Sequence, residues 1–372
     1  MRRFVGETFE RLGGALIDPD MVVPAALPLD LCGESVRARL CVFTDHDNRD
    51  MALRPDLTLP VALAEIALRQ AKHVDGENVH RYAARAFRQP AVPGEPMEFT
   101  QVGFERFGAV SGFEVDAEAY ELVSQASVEA GVSRGVARFG DLGVLPAFID
   151  ALDLSPAVNA GLRRAFRQAG GVGAYLARAS QPPSPFIMSL IDLERPAVER
   201  ELQAKLEADN IKHFGNRGQD EVVTRLMEQA GEATRGRVPA NARDVLEAVL
   251  AVACHPRDAG QTLRDIAGAC GLEAVNDKIE HLEATLDLIA KRAPDFLEEA
   301  LFSPAFGRRF TYYDGFVFEI GEPGERMARP FGAGGRYDHL LSDLSGGEVS
   351  ATAIGGVVRP DRLMLAQEGT SS

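Results

Sequence analysis

Residues 95–107 read EPMEFTQVGFERF. From Glu98 onward the stretch has the period of a β-strand, in which successive side chains point to opposite faces. Glu98, Thr100, Val102, Phe104 and Arg106 fall on one face, and Phe99, Gln101, Gly103, Glu105 and Phe107 on the other. Gln101 and Glu105 therefore stand side by side, and the glycine between them leaves open space above the sheet. Polar groups on the floor of such a space fix the orientation of a small ligand. A solvated strand face has the same pattern, because exposed polar residues are common. The residues before the strand, with prolines at 90, 93 and 96, form a loop that joins it to an earlier strand, HRYAARAF at 80–87.

Working outward, MRRFVGETFERLGG predicts an amphipathic helix that ends at Gly13-Gly14. MVVPAALPLDL (21–31) is apolar with prolines, and VRARLCVFTD (36–45) alternates as a strand. MALRPDLTLPVALAEIALRQ (51–70) predicts strand, turn and helix, with Thr58 as N-cap and Pro60 in the first turn, where its missing N–H is harmless. Apolar residues recur at helical spacing from Asp116 to Ala130, and GVARFGDLG (135–143) predicts another strand. From 150 to 300 the chain is rich in Ala, Leu, Glu and Arg with helical periodicity, and strand patterns return at RFTYYDGFVFEI (309–320) and SATAIGGVV (350–358). Strands, a helical block and strands again predict an α+β fold, one sheet interrupted by a helical insertion. The expected division is 1–150 and 301–372 for the core and 151–300 for a mainly helical insertion.

Hydrophobic residues make up 45% and charged residues 26% of the 372, an ordinary globular balance. The formal net charge of −15 argues against a nucleic-acid partner, since phosphate neutralisation supplies most of that affinity. Cys32, Cys41, Cys254 and Cys270 show no CxxC spacing, which favours a reducing cytoplasm over a disulfide frame or a zinc site. No apolar run reaches the ~18 residues of a membrane span, and the first residues lack the apolar core of a signal peptide. DHDNRD (45–50) is expected to be a solvated hairpin turn rather than a metal loop. In FGAGGRYDHLL (331–341) the glycines enter a predicted helix without GxGxxG spacing, so they argue for a close backbone approach to a ligand or another strand, not for a dinucleotide. No cofactor or metal is implied.

In this order the segments resemble the catalytic core of histidyl-tRNA synthetase, a class II aminoacyl-tRNA synthetase. VVPAALPLDL resembles the first class II motif with Pro24 at the interface, and LRPDLTLPVA the segment that contacts the bound amino acid. FRQP…MEFTQVGFERFG resembles the second motif, and RRFTYYDGFVFE and GAGGRYDHLL the two histidine-specific motifs. AIGGVVRPDRL resembles the third, with Arg362 at its arginine. The resemblance implies a class II antiparallel sheet flanked by helices and a homodimer. It also implies a histidine pocket formed by Asp56, Thr58, Gln101, Glu105, Arg308, Tyr312, Tyr313 and Tyr337, with a residual ATP site at Arg88 and Arg362.

The departures bear on function. The glutamate that reads adenine in the synthetases gives way to Gln89-Pro90, and the loop arginines become Glu95 and Met97. An α-phosphate and its transition state need fixed positive charge, so the ATP side is expected to be disabled. Ten residues follow Arg362, where the synthetases continue into an anticodon-binding domain, and that domain is expected to be absent. This combination resembles the regulatory subunits of ATP phosphoribosyltransferase. In that family a synthetase-like protein without ligase activity joins a short-form catalytic subunit in a hetero-oligomer and conveys histidine feedback on the first step of histidine biosynthesis, with no catalytic residues, tRNA or membrane involved. The alternative is a divergent or truncated histidyl-tRNA synthetase with ligase activity.

Overall fold

The computed structural model describes residues 2–72, 76–92, 94–109, 112–167, 171–179, 184–209, 219–234, 238–307, 311–324, 327 and 329–368. Its strands are β1 (Ala15–Leu16), β2 (Val22–Pro24), β3 (Cys41–Thr44), β4 (Asp50–Leu53), β5 (Asn78–Phe87), β6 (Glu98–Phe107), β7 (Val136–Asp141), β8 (Leu301–Phe302), β9 (Phe316–Gly321), β10 (Gly332–Arg336) and β11 (Ala353–Val358). Eight strands form one sheet in the order β1-β5-β6-β11-β10-β9-β7-β8, and β2-β4-β3 form a second. The six central strands of the large sheet run antiparallel, as expected. Its two outermost strands, β1 and β8, pair in parallel instead.

β6 lies inside this sheet, paired with β5 over its full length and with β11 along Val102–Phe107. Both of its faces are covered, so the solvated alternative does not hold: Gln101 is 7% exposed and Glu105 1%. On one side of the sheet the helix Arg2–Glu10 packs on β5 and β6, and Phe113–Glu129 packs on β9, β10 and β11, the latter helix backed by Asn276–Arg292. The other side meets the helix Thr58–Lys72, whose Leu59, Val61, Ala62 and Ile66 join Phe99, Phe107, Tyr312, Tyr337, Leu340 and Leu341 in one apolar cluster. Asp116, in the first turn of its helix, receives Arg336 at 2.7 Å and His281 at 3.3 Å, and so ties sheet and helices together.

By internal contacts the chain forms two units, Met1–Ala147 with Ala248–Ser372, and Phe148–Glu247. The helical block expected over 151–300 therefore divides. The helices Ala259–Ala269 and Asn276–Arg292 belong to the sheet-bearing unit, because the second packs on Phe113–Glu129. The other unit is helical, with Leu190, Val198, Leu202, Val223 and Ala230 at its core.

Several local expectations change. Val36 and Arg37 lie in a short helix, Glu34–Arg37, before β3 begins. Tyr312 and Tyr313 precede β9 on a turn rather than lying in the strand. Gly332–Arg336 is itself a strand, and the helix starts only at Leu340. Its glycines serve strand-to-strand approach, since a Cβ on Gly334 would lie 2.5 Å from the Gly355 carbonyl. The β3–β4 turn spans Asp45–Arg49, with Asn48 at φ 59° and Asp50 already in β4. Asp45, His46 and Asp47 approach one another there, but Asp45 already accepts from the Asp47 and Arg49 amides.

Candidate functional site

The β5–β6 register places Tyr82 opposite Gly103 and His80 opposite Glu105. This corrects the expected open space above Gly103. The Tyr82 phenol fills it, and a Cβ on Gly103 would lie 2.7 Å from that hydroxyl. Across the other edge of β6, Gly355 faces Glu105, and a Cβ there would overlap Glu105 Oε2. Two glycines thus make room for one tyrosine and one carboxylate on the same patch of sheet.

Glu105 is the centre of that patch. Its Oε1 accepts from Thr58 Oγ1 at 2.7 Å and from the Tyr82 hydroxyl at 3.0 Å, and its Oε2 accepts from the Tyr337 hydroxyl. Burial pushes its carboxyl up to about 7, against the lowering effect of these three donors, and the nearby Asp56 charge adds to the rise. Thr58 therefore turns inward to Glu105 and does not cap its helix. Asp56 takes that place, its Oδ1 accepting from the Leu59 amide at 3.2 Å while Oδ2 accepts from Tyr312 at 3.2 Å. Burial raises the Asp56 carboxyl too, and Arg88 works in the opposite direction.

Tyr312, Tyr313 and Tyr337 form a wall of rings with centroids 4.8–6.0 Å apart. Burial, then the neighbouring carboxylates, pushes the Tyr82 and Tyr337 phenols well above their ordinary range, which keeps them neutral donors. Gln101 lies on the same face, and its Oε1 is buried with no hydrogen-bond partner among the described residues. A buried acceptor left unpaired is costly, so this atom marks where a donor belongs.

Asp56, Thr58, Glu105, Tyr312, Tyr313 and Tyr337 are thus linked by hydrogen bonds and ring contacts, and Gln101 shares the β6 face of Glu105, while Arg308 lies outside the described residues. Arg88 reaches the Asp56 side of the site, donating Nε to the Pro55 carbonyl at 2.8 Å. Arg362 stands apart from this group, with NH1 on the Pro330 carbonyl at 2.9 Å and NH2 at 3.7 Å from Glu95. Sequence reasoning missed Tyr82, whose role follows from hairpin register, and Arg39, whose NH2 meets Glu95 at 2.8 Å. A cavity of about 320 Å³ lies beside the helix Arg2–Glu10, lined by Phe9, Leu16, Arg81, Tyr82, Val102 and Gly103.

Comparison with known proteins settles the family. The family model described as Histidyl-tRNA synthetase matches residues 1–213 and 191–363. An ATP phosphoribosyltransferase regulatory subunit of Brucella anthropi is 30% identical over 370 residues, covering 96% of this chain and 94% of its own. The chain belongs to the family of these histidyl-tRNA synthetase-like regulatory subunits. The protein of the same description from Mesorhizobium japonicum is 29% identical over 368 residues, with 95% and 93% covered. Among solved structures, an ATP phosphoribosyltransferase regulatory subunit/histidyl-tRNA synthetase from Bacillus halodurans aligns with a TM-score of 0.64 at 19% identity, covering 98% of this chain and 77% of that one. Histidyl-tRNA synthetase from Nostoc aligns with a TM-score of 0.59 at 16% identity, covering 99% and 71%. These likenesses confirm the class II synthetase-like fold expected from the motifs. No helix among the described residues is long and apolar enough to cross a membrane.

Proposed function

We propose that this chain is the non-catalytic regulatory subunit of an ATP phosphoribosyltransferase and that it reads free histidine in the pocket around Glu105. The observation that carries the ligand is the unpaired Gln101 Oε1 beside two buried carboxylates and a wall of phenols. Asp56 suits the ammonium group, and Glu105 with Tyr337 and Tyr82 suits an imidazole, by charge-assisted and hydroxyl hydrogen bonds. Thr58, Tyr312 and Tyr313 hold those groups in place, and Arg308 belongs to the same pocket by resemblance. Glu95 stands where amino-acid activation would need positive charge, which favours binding without adenylation. The chain acts in the cytoplasm as a homodimer within a hetero-oligomer that includes the short-form catalytic subunit. Histidine controls that subunit by favouring one of two states of the complex, typically by 1–3 kcal/mol.

The test is reconstitution of this chain with a short-form catalytic subunit, ATP and phosphoribosyl pyrophosphate, with and without histidine. A larger species by light scattering and histidine-dependent inhibition are expected, and Asp56→Ala or Glu105→Ala should weaken histidine binding in calorimetry by roughly 1.5–3 kcal/mol. If mixing neither changes activity nor yields a larger species, the proposal fails. Clear histidine-dependent pyrophosphate exchange by this chain alone would favour a divergent ligase instead.

A further inference from the structure

A second cluster surrounds Phe99. The Arg359 guanidinium lies 3.6 Å from the ring centroid and that of Arg88 5.2 Å. Arg362 follows Arg359 in the helix Pro360–Glu368 and is held by the Pro330 carbonyl. Burial, then the Arg359 and Arg88 charges, pushes its guanidinium down to about 9, as expected where cations crowd one another. Asp361 pairs with Arg359 at 2.8 Å, and Asp56 offsets Arg88.

The remaining carboxylate comes from the loop that joins β5 to β6. Glu95 sits in a turn closed by its amide on the Val92 carbonyl at 3.2 Å. Its Oε2 accepts from the Ala91 amide at 2.8 Å and from Arg39 NH2 at 2.8 Å, and its Oε1 lies 3.7 Å from Arg362 NH2. Arg39 is fixed in turn, with Nε on the Gln89 carbonyl at 2.5 Å and its own carbonyl accepting the Gln89 amide at 2.7 Å. The Glu95 side chain is 11% exposed, that of Arg362 17% and that of Arg39 23%. A carboxylate held by an amide and two guanidiniums from separate parts of the chain has the coordination that a phosphate oxygen takes.

We infer that Glu95 is a built-in anion occupying a site formed by Arg39, Arg362 and the Ala91 amide, and that removing its charge opens this site to a phosphate-bearing anion. The inference deepens the reading of the chain as non-adenylating and rests on it in one respect, by naming the contact that closes the surface to phosphate. The charges around Glu95 itself are those of Arg39, Arg329 and Arg362. An incoming phosphate must displace Glu95 from Arg39 in the native chain, whereas without that carboxylate Arg39 and Arg362 lose the anion between them.

Calorimetry with inorganic pyrophosphate at fixed low salt tests this on the native chain, Glu95→Gln, Glu95→Ala and the double variant Glu95→Ala with Arg362→Ala. Both single variants should bind pyrophosphate at least about tenfold more tightly than the native chain, the scale of one charge-assisted competitor. Their affinity should fall with added salt. The double variant should return towards the native value. Glu95→Gln keeps the side-chain volume and an acceptor for the Ala91 amide, so it reports even if the alanine variant folds poorly. No gain in either single variant, or equal affinity in the double variant, overturns the inference. The readout needs neither histidine nor a catalytic partner, so it stands or falls separately from the regulatory proposal.

Discussion

Replacing Glu105 with glutamine should flatten a pH dependence that the fold builds into this one side chain. In the unfolded chain the carboxyl has its ordinary value of 4.5; in the folded protein it is pushed up to about 7. The folded state therefore holds a proton that the unfolded state has released between these values, so stability falls as pH rises through the window. At roughly 1.4 kcal/mol per pH unit, the separation corresponds to about 3 kcal/mol lost between about pH 4.5 and about pH 8. Glu105→Gln mimics the protonated form and lacks this loss. Groups whose carboxyls are lowered on folding, such as Glu65 and Glu129, work in the opposite direction, but they are common to both proteins and cancel in the comparison. Urea unfolding at several pH values is the assay. The variant should be the less stable or equal protein near pH 4.5 and gain about 3 kcal/mol on the native chain by about pH 8. Parallel stability profiles for the two proteins would refute the reasoning, because they would mean that Glu105 titrates alike in both states.

Gly355→Ala should be strongly destabilising, by roughly 2 kcal/mol or more, because its Cβ would overlap the Glu105 carboxylate and lie 3.0 Å from the Phe104 carbonyl; the urea midpoint reads this directly. Glu65→Ala should cost about 3 kcal/mol or more. Glu65 is fully buried and accepts from Arg69 at 2.6 Å, His80 at 2.7 Å and Asn78 at 2.7 Å, so its removal takes the carboxylate from a buried guanidinium that keeps the Gly76 carbonyl. Thermal unfolding of Glu65→Ala beside Glu65→Gln, which keeps an acceptor, should rank the alanine variant lower.

The sequence by itself determined the strands of the central hairpin, the helices on either side and the family, because each rests on local periodicity or on residues in a recognisable order. Alternation along Glu98–Phe107 was enough to put Gln101 and Glu105 on one face, and the ordered motifs were enough to bring Asp56, Tyr312, Tyr313 and Tyr337 to them. Thr58 shows the limit of local rules. Its position fits an N-cap, yet a buried carboxylate from a strand 47 residues away is the stronger acceptor, and Asp56 caps the helix instead. Only tertiary structure decided what fills the space above Gly103, since that depends on the register that sets Tyr82 against it. It also decided that Glu95 lies between Arg39 and Arg362, which come from opposite ends of the chain and share no pattern in sequence. The physical reason is that periodicity records which face a side chain takes, whereas burial, pairing and proton affinity depend on what the rest of the chain brings to that face.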